Sequence, residues 1–291
     1  MKYLISMIAG AGLAAAAPLH ARATNTYFFT FGNSYTQTGF STTGTQPTAD
    51  NPMGNPTLGT GTTTGGPNWV GYLTTEYNAS LVLSYNLAVG GASLDNSLVL
   101  TGTKEDMVTQ VATFETAYSQ KPAVAPWSSH DAVFGFWIGI NDIGWAYSSN
   151  NASVLIPKIM AQYKTQAEKL YANGGRKFLF LNVPPTSRSP QINNAPGHAE
   201  WLAAFNAALK TMVDEFIADN SGLQTTTVLY DSFAFMTKVL DDPTTYGFPD
   251  ATCVNSNGVS CVWWNSYHPG YAYQKLQAAD MKKHIHSLGA W

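Results

Sequence analysis

Four short segments of this 291-residue chain carry side-chain or backbone groups that can do chemistry. Ser34 follows an apolar run, and Gly32, two residues earlier, permits a sharp turn that would present the serine hydroxyl. His268 lies near the C-terminus, directly before Pro269, and histidine is the commonest general base in proteins. A serine hydroxyl next to such a base is a nucleophile for acyl transfer. These residue types therefore indicate nucleophilic catalysis, provided that folding brings them together.

Two further segments contain groups that could stabilise negative charge. Gly90-Gly91 could offer backbone N–H groups, and Asn141-Asp142 contains a side-chain amide. Each segment also has an ordinary structural interpretation. The glycines could simply form a turn, Asn141-Asp142 could cap a helix, Ser34 could be a turn residue and His268 a surface histidine. No single segment decides between the two interpretations.

The elements that must position these segments are five apolar runs rich in β-forming residues, at 26–31, 81–87, 132–138, 177–183 and 225–230. Most are continuous rather than alternating, as in strands that are covered on both faces. Helical patterns follow at 68–77, 105–118, 154–173, 199–218 and 271–286. Strands alternating with helices predict an α/β fold, a three-layer α/β/α sandwich around a central five-stranded parallel sheet.

In such a sheet, ligands bind beyond the carboxyl ends of the strands. The segments with Ser34, Gly91 and Asn141 each follow a predicted strand directly, and His268 directly precedes the last predicted helix. Four candidate segments in the right places are much harder to explain by chance than any one of them. We therefore predict that they meet in one active site.

At these residues the chain resembles the SGNH hydrolases, also called the GDSL family. Gly32-Asn33-Ser34 stands where the family usually has Gly-Asp-Ser, and Gly91 matches the glycine of the second block. Gly139-Ile140-Asn141-Asp142 matches the family's Gly-x-Asn-Asp, and Asn265-Ser266-Tyr267-His268 stands where Asp-x-x-His is usual. The likeness spans nearly all of the chain after the N-terminal segment and implies the flavodoxin-like form of the predicted fold.

The resemblance implies a serine esterase mechanism. Ser34 would attack an ester carbonyl while His268 accepts its proton. The backbone N–H groups of Ser34 and Gly91, with the side-chain amide of Asn141, would form the oxyanion hole. This chemistry requires no metal and no organic cofactor.

Two positions depart from the family pattern, because Asn33 and Asn265 replace aspartates. An amide oxygen at Asn265 can accept a hydrogen bond from His268, but it offers no negative charge to the imidazolium. Three accounts follow: a weakened Ser–His pair, support from another carboxylate, or a fold retained for binding alone. The candidate carboxylates are Asp95, Asp142 and Asp231.

The run 31–40, together with 66–70, is particularly similar to fungal acetyl esterases of carbohydrate esterase family 16. This likeness implies removal of acetyl groups from hemicellulose-derived oligosaccharides of the xylan type. Four tryptophans near the presumed active face could stack on sugar rings; core packing is the alternative for each. We select Trp69 and Trp263 as substrate-binding residues. For Trp145 and Trp264 we favour core packing.

Two rival functions remain. The same fold hosts lipases and lysophospholipases, although these need a broad apolar acyl groove and the 41–66 segment is mostly polar. The other rival is a catalytically impaired carbohydrate-binding protein, which the two asparagines suggest. Turnover of a soluble acetyl ester distinguishes that protein from both enzymes.

The composition suits an extracellular protein. Only 11% of the residues are charged and the net charge is −3, so neither nucleic acid nor a membrane surface is an expected partner. Residues 1–23 have the basic start, apolar run and small-residue cleavage site of a signal peptide; an uncleaved anchor is the alternative. We therefore expect a secreted monomer with one hydrolase domain over residues 24–291.

Two further features agree with secretion. Asn78 and Asn151 each begin an Asn-Ala-Ser glycosylation triplet. Cys253 and Cys261 are the only cysteines, and in an oxidising compartment two such neighbours are expected to form a disulfide. A metal site is the alternative for them, but two thiols without nearby histidines make a poor zinc site.

Overall fold

The computed structural model describes residues 25–291. Its central sheet contains β1 (Thr26–Gly32), β2 (Val82–Asn86), β3 (Ala132–Trp137), β4 (Lys177–Leu181) and β5 (Thr226–Tyr230). The strand order is β2-β1-β3-β4-β5, and all neighbouring pairs are parallel. The predicted five-stranded parallel sheet is confirmed, with strand ends that differ by at most two residues.

Seven α-helices occur within the described range. They are α1 (Trp69–Thr75), α2 (Met107–Ala117), α3 (Ile140–Ala146), α4 (Ala152–Ala172), α5 (His198–Asp219), α6 (Ser232–Asp241) and α7 (Tyr271–Lys282). Five match predicted helices, with ends shifted by up to four residues. Sequence reasoning missed α3, which is too short to show a helical period, and α6.

The helices cover both faces of the sheet, because consecutive side chains of each strand point to opposite faces. Phe29 in β1 packs against Phe114 of α2, with ring centroids 5.0 Å apart. Its neighbour Phe28 packs on the other face against Trp69 of α1, at 5.9 Å. All three layers thus meet around β1, and the predicted three-layer sandwich is confirmed. The strand β1, which leads to Ser34, is consequently packed on both of its faces.

The long segment between β1 and α1 contains no regular element. Part of it covers the free edge of the sheet, where Ser84 N of β2 donates a hydrogen bond to Pro52 O at 2.9 Å. Its final part reaches the predicted active face, where Thr63 Oγ1 donates to Ser34 O at 2.7 Å. The segment therefore both protects a strand edge and contacts the nucleophile turn.

The structure contains the predicted disulfide between Cys253 and Cys261, whose Cα atoms are 5.2 Å apart. It closes the loop that leads to the segment of His268. The predicted signal peptide, residues 1–23, lies outside the described residues. Among residues 25–291, no helix has the length and apolar character needed to cross a membrane.

Candidate active site

Ser34 lies in the turn that directly follows β1, as predicted. The turn depends on Gly32, because a Cβ atom at this position would lie 2.4 Å from the carbonyl oxygen of Trp137 in β3. Gln110 of α2 holds the same glycine: its side-chain amide accepts from Gly32 N and donates to Gly32 O, both at 2.8 Å. The serine is therefore presented from a backbone fixed by the neighbouring strand and by α2.

His268 lies beside Ser34, although 234 residues separate them in the chain. Its Nε2 atom is 2.8 Å from Ser34 Oγ, and its Nδ1 atom is 3.0 Å from Asn265 Oδ1. The structure thus brings together the predicted nucleophile, base and third residue. The carboxyl-end rule for parallel sheets identified the nucleophile's position, while the C-terminal segment supplies the base from outside the sheet.

The orientation of the Asn265 amide follows from its other partners. The backbone N–H groups of Tyr267 and His268 both point at the same side-chain atom, at 2.9 and 2.8 Å. Since these groups only donate, the atom must be the oxygen. His268 Nδ1 consequently carries the proton that Asn265 accepts, and the lone pair of Nε2 faces the hydroxyl of Ser34. This is the tautomer that a general base requires.

No carboxylate within residues 25–291 supports His268. Asp142 is fully buried and accepts from Leu94 N at 3.0 and 3.2 Å, and burial raises its pKa to about 7. Asp95 accepts from Gln162 Nε2 at 2.7 Å, whereas Asp231 accepts from Asn182 Nδ2 at 2.7 Å and caps α6. Each candidate carboxylate is thus used elsewhere. Burial without a compensating negative charge lowers the pKa of His268 to about 4.

Two backbone N–H groups at the site have no acceptor within residues 25–291, namely those of Ser34 and Gly91. Gly91 adopts a positive φ of 81°, which favours glycine. The preceding Gly90 N donates to the side-chain oxygen of Gln37, which fixes this turn. Asn141 Nδ2, in the first turn of α3, donates to Ala92 O at 2.9 Å and retains a second hydrogen. The three predicted oxyanion donors thus remain available to a substrate.

Two tyrosines that sequence reasoning missed brace the site. The hydroxyl of Tyr35 donates to Tyr267 O and joins the nucleophile turn to the histidine segment. The hydroxyl of Tyr267 donates to Ile140 O at 3.4 Å and joins that segment to α3. Both bonds end on backbone carbonyls, so the partner residues show no recognisable sequence pattern. Only the adjacency of each tyrosine to a candidate catalytic segment could have suggested them.

A cleft of about 540 Å³ opens beside His268. The described residues that line it come from α3, from the segment after β4 and from the histidine segment: Asn141, Gly144, Trp145, Gln191, Ile192, Asn265, Ser266, Tyr267 and His268. None of them is an acid, a lysine or an arginine. Apart from the histidine, the polar side-chain groups of this lining are therefore amides, two hydroxyls and an indole N–H, none of which carries a charge.

The assignment of Trp69 and Trp263 to substrate binding was wrong. Both side chains have no exposed surface. Trp69 packs against Phe28 and Trp137 in the core, and Trp263 donates its ring N–H to Ala251 O at 2.8 Å in a smaller cluster. Trp145, by contrast, is 59% exposed and lines the cleft. Position near the active face did not reveal which rings point outward.

The sequence model of the GDSL-like lipases and acylhydrolases matches residues 28–279, which is most of the chain. The chain belongs to this family. An acetylesterase from Thermothelomyces thermophilus is 44% identical over 94% of this chain and 93% of the relative. A GDSL esterase/lipase from Arabidopsis thaliana is 25% identical over 68% of this chain and 66% of its own length. The chain is accordingly a carboxylic ester hydrolase.

Two solved structures have the same fold. Axe2, an acetylxylan esterase from Geobacillus stearothermophilus, superposes with a TM-score of 0.54 over 91% of this chain and 96% of its own, at 13% identity. A putative GDSL-like lipase from Parabacteroides merdae gives 0.52 over 90% and 96%, at 16% identity. At such low identities the likeness establishes the shared architecture and nothing finer.

Asn33, the other departure from the GDSL pattern, is completely buried beside the nucleophile. Its Oδ1 atom accepts from Tyr35 N at 3.1 Å, a role that an aspartate oxygen could equally fill. Its Nδ2 atom finds no hydrogen-bond partner in the described part of the chain. Leaving such a group unpaired costs about 1–3 kcal/mol. The asparagine thus preserves the turn at some cost in stability.

Proposed function

We propose that this protein is a secreted acetyl esterase that acts on neutral, hemicellulose-derived oligosaccharides of the xylan type. One observation carries the proposal: an unbroken line of hydrogen bonds runs from Asn265 Oδ1 through both nitrogens of His268 to Ser34 Oγ. A protein retained only for binding has no need of this alignment or of the correct tautomer. The geometry therefore favours catalysis over a binding role.

In the proposed reaction, Ser34 Oγ attacks the acetyl carbonyl while its proton moves to His268 Nε2. The carbonyl oxygen becomes an oxyanion held by the N–H groups of Ser34 and Gly91 and by the Asn141 amide. Collapse of this intermediate breaks the ester bond, and the sugar alkoxide leaves with the proton from His268. Water then attacks the acetyl-serine with His268 again as base, which releases acetate and restores Ser34. Each oxyanion donor contributes about 3–4 kcal/mol in comparable enzymes.

The acetyl specificity is supported by the 44% identical acetylesterase and by the lining of the cleft. A long acyl chain gains affinity from a continuous apolar groove, at about 0.8 kcal/mol for each buried methylene. Here amide and hydroxyl side chains line the cleft together with Ile192 and Trp145. The lipase alternative is therefore disfavoured. Secretion rests on the N-terminal pattern and on the disulfide.

Activity should fall several-fold as the acyl chain of a nitrophenyl ester is lengthened from acetyl to octanoyl, because polar side chains share the described lining of the cleft with the apolar ones. The measurement is kcat/KM along the ester series, together with acetate release from acetylated xylo-oligosaccharides. Equal or rising kcat/KM on the octanoyl ester would contradict the acetyl specificity and favour a lipase. If the enzyme cleaves nitrophenyl acetate but releases no acetate from the oligosaccharides, the proposed sugar substrate is contradicted.

A further inference from the structure

Trp145 is the one tryptophan among residues 25–291 whose side chain is largely exposed, at 59%. It lies in α3 four residues after Asn141, and residues four apart lie on the same helix face, one turn from each other. The helical rise places the two Cα atoms about 6 Å apart along the axis. An aromatic face is thus held one turn away from an oxyanion donor, roughly the width of one sugar ring.

Another part of the cleft lining is polar and is tied to the catalytic histidine segment. Gln191 N donates to Ser266 O at 2.8 Å, and Ser266 Oγ lies 3.3 Å from Gln191 Oε1. The Nε2 amide hydrogens of Gln191 have no acceptor within residues 25–291, and both side chains are exposed. The side chains of Gln191 and Ser266 therefore line the cleft as hydrogen-bonding groups, and the hydrogen bonds between the two residues hold them in place.

From this arrangement we infer that Trp145, Gln191 and Ser266 form a subsite for the neutral sugar ring that carries the acetyl group. The indole stacks on the apolar face of the ring, while Gln191 and Ser266 bind its hydroxyls. The absence of acids, lysines and arginines from the described lining fits a neutral sugar better than an acidic one. This inference rests on the proposed function and makes Trp145 a specificity-determining residue for it.

The test compares two acetyl esters: a monoacetylated methyl xyloside and ethyl acetate, whose leaving group has no ring. In Trp145→Ala, kcat/KM for the xyloside should fall three- to tenfold, up to about 1.4 kcal/mol. The loss should appear in KM and exceed any loss on ethyl acetate at least threefold. Trp145→Phe should recover most of the affinity. Ile217→Ala is the matched control, because Ile217 is 43% exposed near the far end of α5.

Equal losses on both esters, or no loss on the xyloside, would overturn the inference. A binding measurement separates it from the proposed function. Ser34→Ala protein, which cannot turn over, is titrated with xylotriose by NMR, with and without the additional Trp145→Ala substitution. Weaker binding in the double variant supports the subsite even if the wild type proves inactive on sugar esters. Identical binding in the two proteins would overturn it.

Discussion

Replacing Ser34 by alanine should lower the rate of acetate release by at least about 10³-fold, the order of loss seen when a serine nucleophile is removed from a hydrolase. The acetyl-enzyme cannot form without Oγ, and the remaining donors can only polarise the carbonyl for direct attack by water. The measurement is kcat on an acetyl ester with protein of verified fold. Near-normal turnover in this variant would eliminate Ser34 as the nucleophile.

Ser84→Ala is the matched control for this substitution. Ser84 is buried in β2, and its hydroxyl has no partner among the described residues. Loss of this hydroxyl should therefore leave both activity and fold intact. In Ser34→Ala the lost contact is the hydrogen bond to His268, worth about 1 kcal/mol in the free energy of unfolding. A thermal midpoint close to that of the wild type would show that the activity is lost for chemical reasons.

Replacing Asn265 by aspartate should raise kcat on an acetyl ester at least tenfold, which corresponds to about 1.4 kcal/mol of the barrier. An aspartate oxygen can accept the same three hydrogen bonds, from Tyr267 N, His268 N and His268 Nδ1. It adds a negative charge next to the imidazolium that forms in the transition state. The gain should therefore appear mainly in kcat.

The same substitution should move the acidic limb of the pH profile. In the wild type, burial lowers the pKa of His268 to about 4, and the base acts only when neutral. Its kcat/KM should therefore hold below pH 6 and fall as the pH drops through about 4. A carboxylate at position 265 favours the protonated imidazole and raises this pKa, so the limb should shift to higher pH.

Asn265→Ala supplies the opposite comparison, because it removes the acceptor for His268 Nδ1 and should lower kcat. An Asn265→Asp protein with unchanged kcat and an unchanged acidic limb would contradict the assignment of Asn265 as the partner of His268. Another group would then have to orient the base. The structure offers no carboxylate among Asp95, Asp142 and Asp231 for that purpose, since each is engaged elsewhere.

The strands could be predicted because short continuous apolar runs alternate along this chain with segments of helical periodicity, and buried parallel strands have that pattern. Ser34 could be located because the end of a parallel strand is a geometric landmark. His268 could be identified by its motif, but its distance to Ser34 depends on the whole path of the chain. The fate of Trp69 could not be read from sequence, since a tryptophan at the start of a helix can face either the core or a cleft.

The orientation of the Asn265 side-chain amide could not be predicted either. Sequence alone allows either its oxygen or its nitrogen to face His268, with opposite consequences for the base. Two backbone N–H groups decide the matter, and their direction depends on the local turn at residues 265–268. The bracing hydroxyls of Tyr35 and Tyr267 also bind backbone atoms. Contacts of this kind leave no trace in residue types or spacing.

The uncharged lining of the cleft has a consequence for the setting in which the enzyme works. Dissolved salt weakens attractions between exposed charges over a Debye length of about 8 Å at 0.15 M ionic strength. Here the base is oriented by a neutral amide, and the described wall of the cleft offers a neutral substrate no charged group. Ionic strength therefore has no charge pair to screen during substrate capture. The affinity of this site for a neutral substrate should therefore depend little on the salt concentration.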